Sequence, residues 1–247
     1  MLSLAVCILA LGCLASAAPV SKDKDKDKEH EGKNIDSGSF GVFQSGRRVG
    51  TETFSIYDTG NGSVIHSEFK TEHAPPDVQT SDMQLSPNGD IRRYEWKEVS
   101  PEQAESVVIP NEEFLNQKWS TGQEKEHEQP YLLPPSTSIL DDYFFVHREL
   151  LAWKFVALTC GKQEKGLVQC PPRQRTQFGT LNPHQHASAA ISVESIGREK
   201  VTLKSGMQDL NKMELKSEAG TWQLWLDDQW KVMRMSIVGE NTVVERD

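Results

Sequence analysis

His184-Gln185-His186 is the sharpest concentration of chemically versatile side chains in the sequence. On a strand, residues two apart project to the same side, so both imidazoles could grip one metal ion. Two ligands make half a site, however. No partner of matching kind can be placed along the chain, and Pro183 marks a loop entry, so no metal is expected and His184 and His186 remain weak candidates. His147 falls on what reads as the apolar face of a helix, where a histidine is more often a core residue whose ring finds a backbone or Tyr partner. Asp141-Asp142 and Asp227-Asp228 are paired carboxylates of the kind acid–base catalysis employs. The first pair suits a helix start and the second a hairpin turn, and nothing points to burial that would split their pKa values. There is no G-x-S-x-G elbow, H-E-x-x-H helix, Gly-rich phosphate loop or C-x-x-C pair. No catalytic residue and no cofactor is expected.

Four cysteines occur. Cys7 and Cys13 lie near the N-terminus, which leaves Cys160 and Cys170, and two such residues in an oxidising compartment are expected to pair. Their spacing is too long for a redox C-x-x-C, so a structural staple is the better reading. Six tryptophans (96, 119, 153, 222, 225 and 230) invite a ligand-stacking idea, although in strands and a helix they more often fill a core or line a cavity.

The N-terminus speaks for export. Leu2 to Leu14 is an uncharged apolar run, too short to span a bilayer, and Ala15-Ser16-Ala17 supplies small residues at −3 and −1 for cleavage after Ala17. A signal peptide over 1–17 is therefore expected. Ala10-Leu11-Gly12-Cys13 is also a partial lipobox, which keeps a lipid anchor on Cys13 open as the alternative and would be the only attachment to a membrane. Residues 18–36, including the alternating tract SKDKDKDKEHEGK, hold too little apolar surface to offset ordering entropy and read as a disordered charged linker. A net charge of −9 in 247 residues argues against nucleic-acid binding.

These side chains need a scaffold, and the pattern supplies a β-rich one. SFGVFQ, RVGTETFSIYD, SVIHSEFKTE, VQTSDMQL and IRRYEWKEV alternate in character and are parted by Ser45-Gly46, Thr59-Gly60-Asn61-Gly62 and Ser86-Pro87-Asn88-Gly89-Asp90. In the second run Phe54 and Ile56 mark the inward face, with Glu52 in phase. About 100–135 is acidic and Pro-rich and reads as a long loop. Ser136, Thr137 and Ser138 offer caps for an amphipathic helix from about Leu140 to Phe155. Leu140, Phe144, His147 and Leu151 lie on its inner face, and Arg148, Glu149 and Lys154 lie toward the outside. Strands resume at Arg173 and close in the meander GTWQLWLDDQWKVMRMSIVGENTVVERD. Residues 37–247 should form one domain.

Three stretches carry a family resemblance: GVFQSGRRVGTETFSI, SILDDYFFVHRELLAWKF and LWLDDQWKVMRMSIVGENTVVERD. With Val49-Gly50-Thr51-Glu52, Leu140-Asp141-Asp142, Leu224-Trp225-Leu226-Asp227 and Arg246, the chain resembles an uncharacterised family of secreted bacterial proteins, a domain of unknown function. That family is distantly similar to the half-barrel carriers that escort lipoproteins through the periplasm. The resemblance implies a mainly β (α+β) fold, a curved antiparallel half-barrel with one central helix on its concave face. An apolar pocket between helix and sheet would hold a lipid-like or other apolar small molecule, with Phe144, Leu151, Trp153, Trp222, Trp225 and Met233 as lining candidates. The protein is thus expected to be a non-enzymatic periplasmic or surface-tethered binder. The rival reading is a structural or interaction module with a filled core and an envelope protein as partner.

Overall fold

The computed structural model describes residues 32–101, 103–122, 124–162 and 168–247. The expected signal peptide, Cys13 and the linker up to residue 31 lie outside them. Eight strands follow one another as antiparallel hairpins: β1 (Lys33–Gln44), β2 (Arg47–Asp58), β3 (Ser63–Thr71), β4 (Val78–Leu85), β5 (Ile91–Ser100), β6 (Ala104–Asn111), β7 (Phe114–Thr121) and β8 (His127–Tyr131). After the short β9 (Ser138–Ile139) comes the helix α1 (Val146–Thr159), then a small hairpin of β10 (Gly161–Lys162) and β11 (Val168–Gln169). A second meander completes the chain: β12 (Arg175–Asn182), β13 (Ala187–Leu203), β14 (Gly206–Ser217), β15 (Gly220–Leu226), β16 (Val232–Ile237) and β17 (Thr242–Arg246). The last strand pairs with the first, Phe40 opposite Arg246 and Val42 opposite Val244. The two meanders thereby fuse into one large curved sheet that runs from β8 through β1 and β17 to β12 and β9.

Local chemistry sets the reversals. At Thr59–Gly62 the Thr59 N–H donates to the Gly62 carbonyl at 3.0 Å, and Asp58 Oδ1 accepts from Gly60 N–H at 2.7 Å. Gly60 and Gly62 both take positive φ, which glycine adopts without a Cβ clash. Between β4 and β5, Ser86 Oγ accepts from the N–H groups of Asn88 and Asp90. In β2 the period of two buries Gly50, Glu52, Phe54 and Ile56. Gly50 is bare for a reason: a Cβ there would stand 2.5 Å from the Phe69 ring of β3.

Four expectations need correction. The region about 100–135 is not a long loop, since β6, β7 and β8 occupy most of it. Its prolines are tolerated because Pro110 lies beyond the last β5–β6 pair and Pro130 sits on the edge strand β8, where a missing N–H breaks no inner ladder. Strand β1 begins at Lys33, so residues 33–36 of the expected linker belong to it. The helix starts six residues later than expected and runs on to Thr159. Ser138 and Ile139 pair in parallel with β12, and Leu140 N–H donates to the Leu181 carbonyl, so the Ser136–Ser138 caps are never used. Finally, Arg148 and Glu149 do not face outward: they are buried, as are Val146, His147, Leu151, Ala152, Phe155 and Val156. A helix buried on most sides must hold its polar residues in built environments.

The principal core joins α1 to both meanders, with Phe40, Tyr94, Leu115, Phe144, Phe155, Leu181, Met213 and Leu224 all fully buried. Cys160, immediately after α1, forms the expected disulfide with Cys170 at a Cα separation of 4.6 Å, and the β10–β11 hairpin lies within the loop it closes. Among the described residues, no helix is long and apolar enough to cross a membrane.

Candidate functional site

An α-helix leaves its first N–H groups without partners inside the helix. In α1 the Phe145 and Val146 N–H groups find theirs in Glu52 of β2, 93 and 94 residues away in sequence. Glu52 Oε2 accepts from Phe145 at 2.7 Å and from Val146 at 3.2 Å, while Oε1 lies 2.6 Å from Ser67 Oγ of β3. Burial pushes the Glu52 carboxyl up to about 7, against the pull of the hydrogen bonds from Ser67, Val146 and Phe145. The carboxyl therefore sits where the helix dipole favours an anion, yet it titrates near neutrality.

Asp141 anchors the segment just before α1. Its Oδ2 accepts from the Tyr94 hydroxyl at 2.8 Å and from His184 Nδ1 at 2.6 Å, and its Oδ1 accepts from Tyr143 N–H at 3.1 Å. Burial is the largest single influence and would raise this carboxyl, but the hydrogen bond and charge attraction of His184, with the Tyr143 N–H, together outweigh it and hold Asp141 below the usual carboxylate range. The His184 ring stacks on Trp96 with centroids 3.8 Å apart, and its Nε2 lies 3.0 Å from the Gln79 side-chain amide. Both ring nitrogens are thus engaged. His186 stacks on Trp119 instead, at 4.1 Å, so the two imidazoles pack against different tryptophans. No group of three or more His, Cys, Asp or Glu is placed to hold a metal among the described residues.

The far side of the helix start carries a second buried ionic group. Glu149 Oε2 accepts from Arg246 Nη2 at 2.6 Å and from Val232 N–H at 2.9 Å. Arg246 also reaches Asp36 at 2.9 Å, and Lys231 reaches the same carboxylate at 2.7 Å. Burial pushes Glu149 up to about 8 despite Arg246, while Asp36 is held low: its own burial is outweighed by hydrogen bonds with Glu149, Arg246 and Lys231. Glu149 is consequently the protonated member and Asp36 the ionised one at neutral pH. Arg148 lies over Trp222, 4.2 Å from its ring centre, and donates to the Asp141 carbonyl.

Between α1 and strands β3 to β5 lies a cleft of about 260 Å³. Met83, Leu85, Ile91, Ile139, Leu151 and Trp153 give it an apolar lining, and Leu158, 66% exposed, stands at its rim. Trp153 places its polar end elsewhere, donating from Nε1 to the Trp230 carbonyl at 2.7 Å. His147 also lines the cleft. Asp141 N–H donates to His147 Nδ1 at 3.4 Å, and the buried Nε2 has no partner. Burial drives this imidazole down to about 3, so it is neutral.

Of the six lining candidates, only Leu151 and Trp153 meet in this cleft. Phe144 is sealed in the core, its ring centre 5.7 Å from that of His147. Trp222 lies under Arg148 beside a separate pocket of about 160 Å³. Trp225 and Met233 belong to another apolar cluster with Val201 and Leu210. In β15, Leu224 and Leu226 point into the principal core, so Trp225 between them takes the opposite face. Asp227-Asp228 is the turn it was expected to be, with Asp227 Oδ1 accepting from Gln229 and Lys231 N–H groups. The residues missed are Glu52, Glu149 and Asp36. For Glu52 the signal was present, in its phase with Phe54 and Ile56.

A curved, almost wholly antiparallel sheet around one buried helix defines the class as β-barrel-like. Within that class the chain is similar to a crystal structure of a β-barrel-like protein of domain of unknown function DUF1849 from Brucella abortus. The TM-score is 0.53 at 10% identity, over 85% of this chain and 94% of the other. At that identity the likeness establishes the fold. No family profile matches the chain, and no curated protein matches it.

Proposed function

We propose that this β-barrel-like domain is a non-enzymatic, exported binder of an apolar ligand, which it holds between α1 and strands β3 to β5. The observation that carries the reading is the cleft: about 260 Å³ with an apolar lining on a rigid helix–sheet frame, bordered by the exposed Leu158. Concave apolar sites with a few polar groups are where small molecules bind. The Cys160–Cys170 disulfide supports an oxidising compartment, periplasmic or extracellular. Whether the chain is free or lipid-tethered is answered by mass analysis of its mature N-terminus.

The reading is tested by native mass spectrometry of protein purified gently from its envelope fraction, followed by extraction. A co-purified apolar molecule lost on substituting Leu151 with Trp is the expected result. A protein that carries no ligand from any extract, and takes up no added apolar probe, contradicts it. The rival, an interaction module, draws support from the filled state of the remaining interior, where Phe144, Phe155 and Leu224 are fully buried. Enrichment of one envelope protein in a pull-down, with an empty cleft, would favour it.

A further inference from the structure

Among the residues that line the cleft, two buried polar groups lack a partner. His147 is 1% exposed, and its Nδ1 accepts from Asp141 N–H at 3.4 Å. A neutral imidazole with an accepting Nδ1 has its proton on Nε2. That Nε2–H is buried without a partner, and the Thr137 hydroxyl, in the same lining, is also unpartnered. A buried donor left unpaired is costly, and an acceptor brought by a ligand would relieve that cost. Size gives the second constraint. A cavity of about 150 Å³ accepts benzene, so about 260 Å³ accommodates a molecule of about ten non-hydrogen atoms.

We infer that the ligand is a small, mainly apolar molecule of about ten non-hydrogen atoms with a neutral carbonyl-type oxygen that accepts the His147 Nε2–H. This rests on the binding role proposed above and narrows it. A neutral head is favoured over a carboxylate because the imidazole facing it is uncharged, and burying an anion against a neutral donor leaves most of its desolvation uncompensated. The one cation in the lining, Lys154, already donates to the Ser136 and Gly89 carbonyls, at 2.5 and 3.5 Å. His147 is here a specificity-determining residue, and no bond is made or broken.

The test uses three probes with one carbon skeleton: butylbenzene, butyrophenone and 4-phenylbutyrate. Calorimetric titration of the full folded protein should show butyrophenone binding about tenfold more tightly than butylbenzene, about 1.4 kcal/mol, with 4-phenylbutyrate weaker than the ketone. His147→Phe should bring ketone and hydrocarbon to equal affinity. In the wild type, the His147 Nε2–H proton resonance should move with the ketone and stay with the hydrocarbon, which keeps the test decisive if that variant fails to fold. Equal binding of ketone and hydrocarbon, with no movement of that resonance, overturns the inference and leaves the apolar binding role standing. Tighter binding of the carboxylate overturns the neutral head. Binding of no probe by the folded protein overturns the role itself.

Discussion

Replacing Glu52 with Ala takes away the acceptor that serves the first turn of α1. Two backbone N–H groups at the helix start, Phe145 and Val146, and the Ser67 hydroxyl lose their buried partner. Each buried donor left unpaired costs about 1–3 kcal/mol; with the three in the lower half of that range the substitution should cost about 3–5 kcal/mol, a large share of the roughly 5–15 kcal/mol that holds a domain folded. With an m-value of about 2 kcal/mol/M in urea, the unfolding midpoint should fall by about 2 M. Tryptophan fluorescence reads this directly. Glu52→Gln is the informative partner. With its carboxyl pushed up to about 7, Glu52 is largely protonated in mildly acid solution. Gln can copy that state, donating to Ser67 and accepting from Phe145 and Val146, so its loss at pH 6 should stay near 1 kcal/mol. An Ala variant whose midpoint moves by less than about 0.3 M would refute the capping role.

The pH profile of stability follows from the buried groups. Glu52 and Glu149 are raised to about 7 and about 8, so the folded protein holds protons the unfolded chain releases. Their stabilisation is full below the unfolded carboxyl pKa and is lost as pH rises through 7 to 8. His147, lowered to about 3, acts in the opposite sense, its contribution present above the unfolded value near 6.5 and lost as pH falls. Asp36 and Asp141, both lowered, add to the loss in acid. Urea midpoints between pH 3 and 9 should therefore peak in the mildly acid range, and Glu52→Gln should flatten the alkaline limb. A midpoint rising steadily to pH 9 would contradict these assignments. Arg246→Met removes the cation shared by Glu149 and Asp36, but Lys231 stays on Asp36 at 2.7 Å, so the cost should be about 1–3 kcal/mol, measured by the same titration; a neutral result would mean that Arg246 adds nothing to the stability of this buried group. Reduction of Cys160–Cys170 should cost about 3 kcal/mol, seen as a lower Tm with reductant, and an unchanged Tm would make the staple incidental.

The strands and turns were legible because period-two alternation and Gly, Asn and Asp reversals are local properties. The disulfide was legible because Cys160 and Cys170 are the two cysteines outside the N-terminal apolar run. The polar group around α1 was not, because its members come from distant strands: Glu52 and Ser67 from β2 and β3, Asp36 from β1, Arg246 from β17. Alternation placed Glu52 inward beside Phe54 and Ile56, but no local pattern names the helix end it would meet. The same alternation should have set Trp225 apart from Trp222 and Leu224. The prolines of β6 and β8 concealed two strands, because their tolerance depends on which ladder stops where. Arg148 and Glu149 read as solvated from charge alone, and only the sheet's closure through β1 and β17 encloses them.

The proposed ligand site lies between strands β3 to β5 and the face of α1 that carries His147, Leu151 and Leu158. A methyl-labelled NMR titration of the full protein with butylbenzene addresses it directly. The predicted result is saturable shifts confined to the methyls of the lining, among them Met83, Leu85, Ile91, Ile139, Leu151 and Leu158. An absence of shifts at these methyls, or shifts centred on Leu210 and Met233 in the separate cluster, would contradict it.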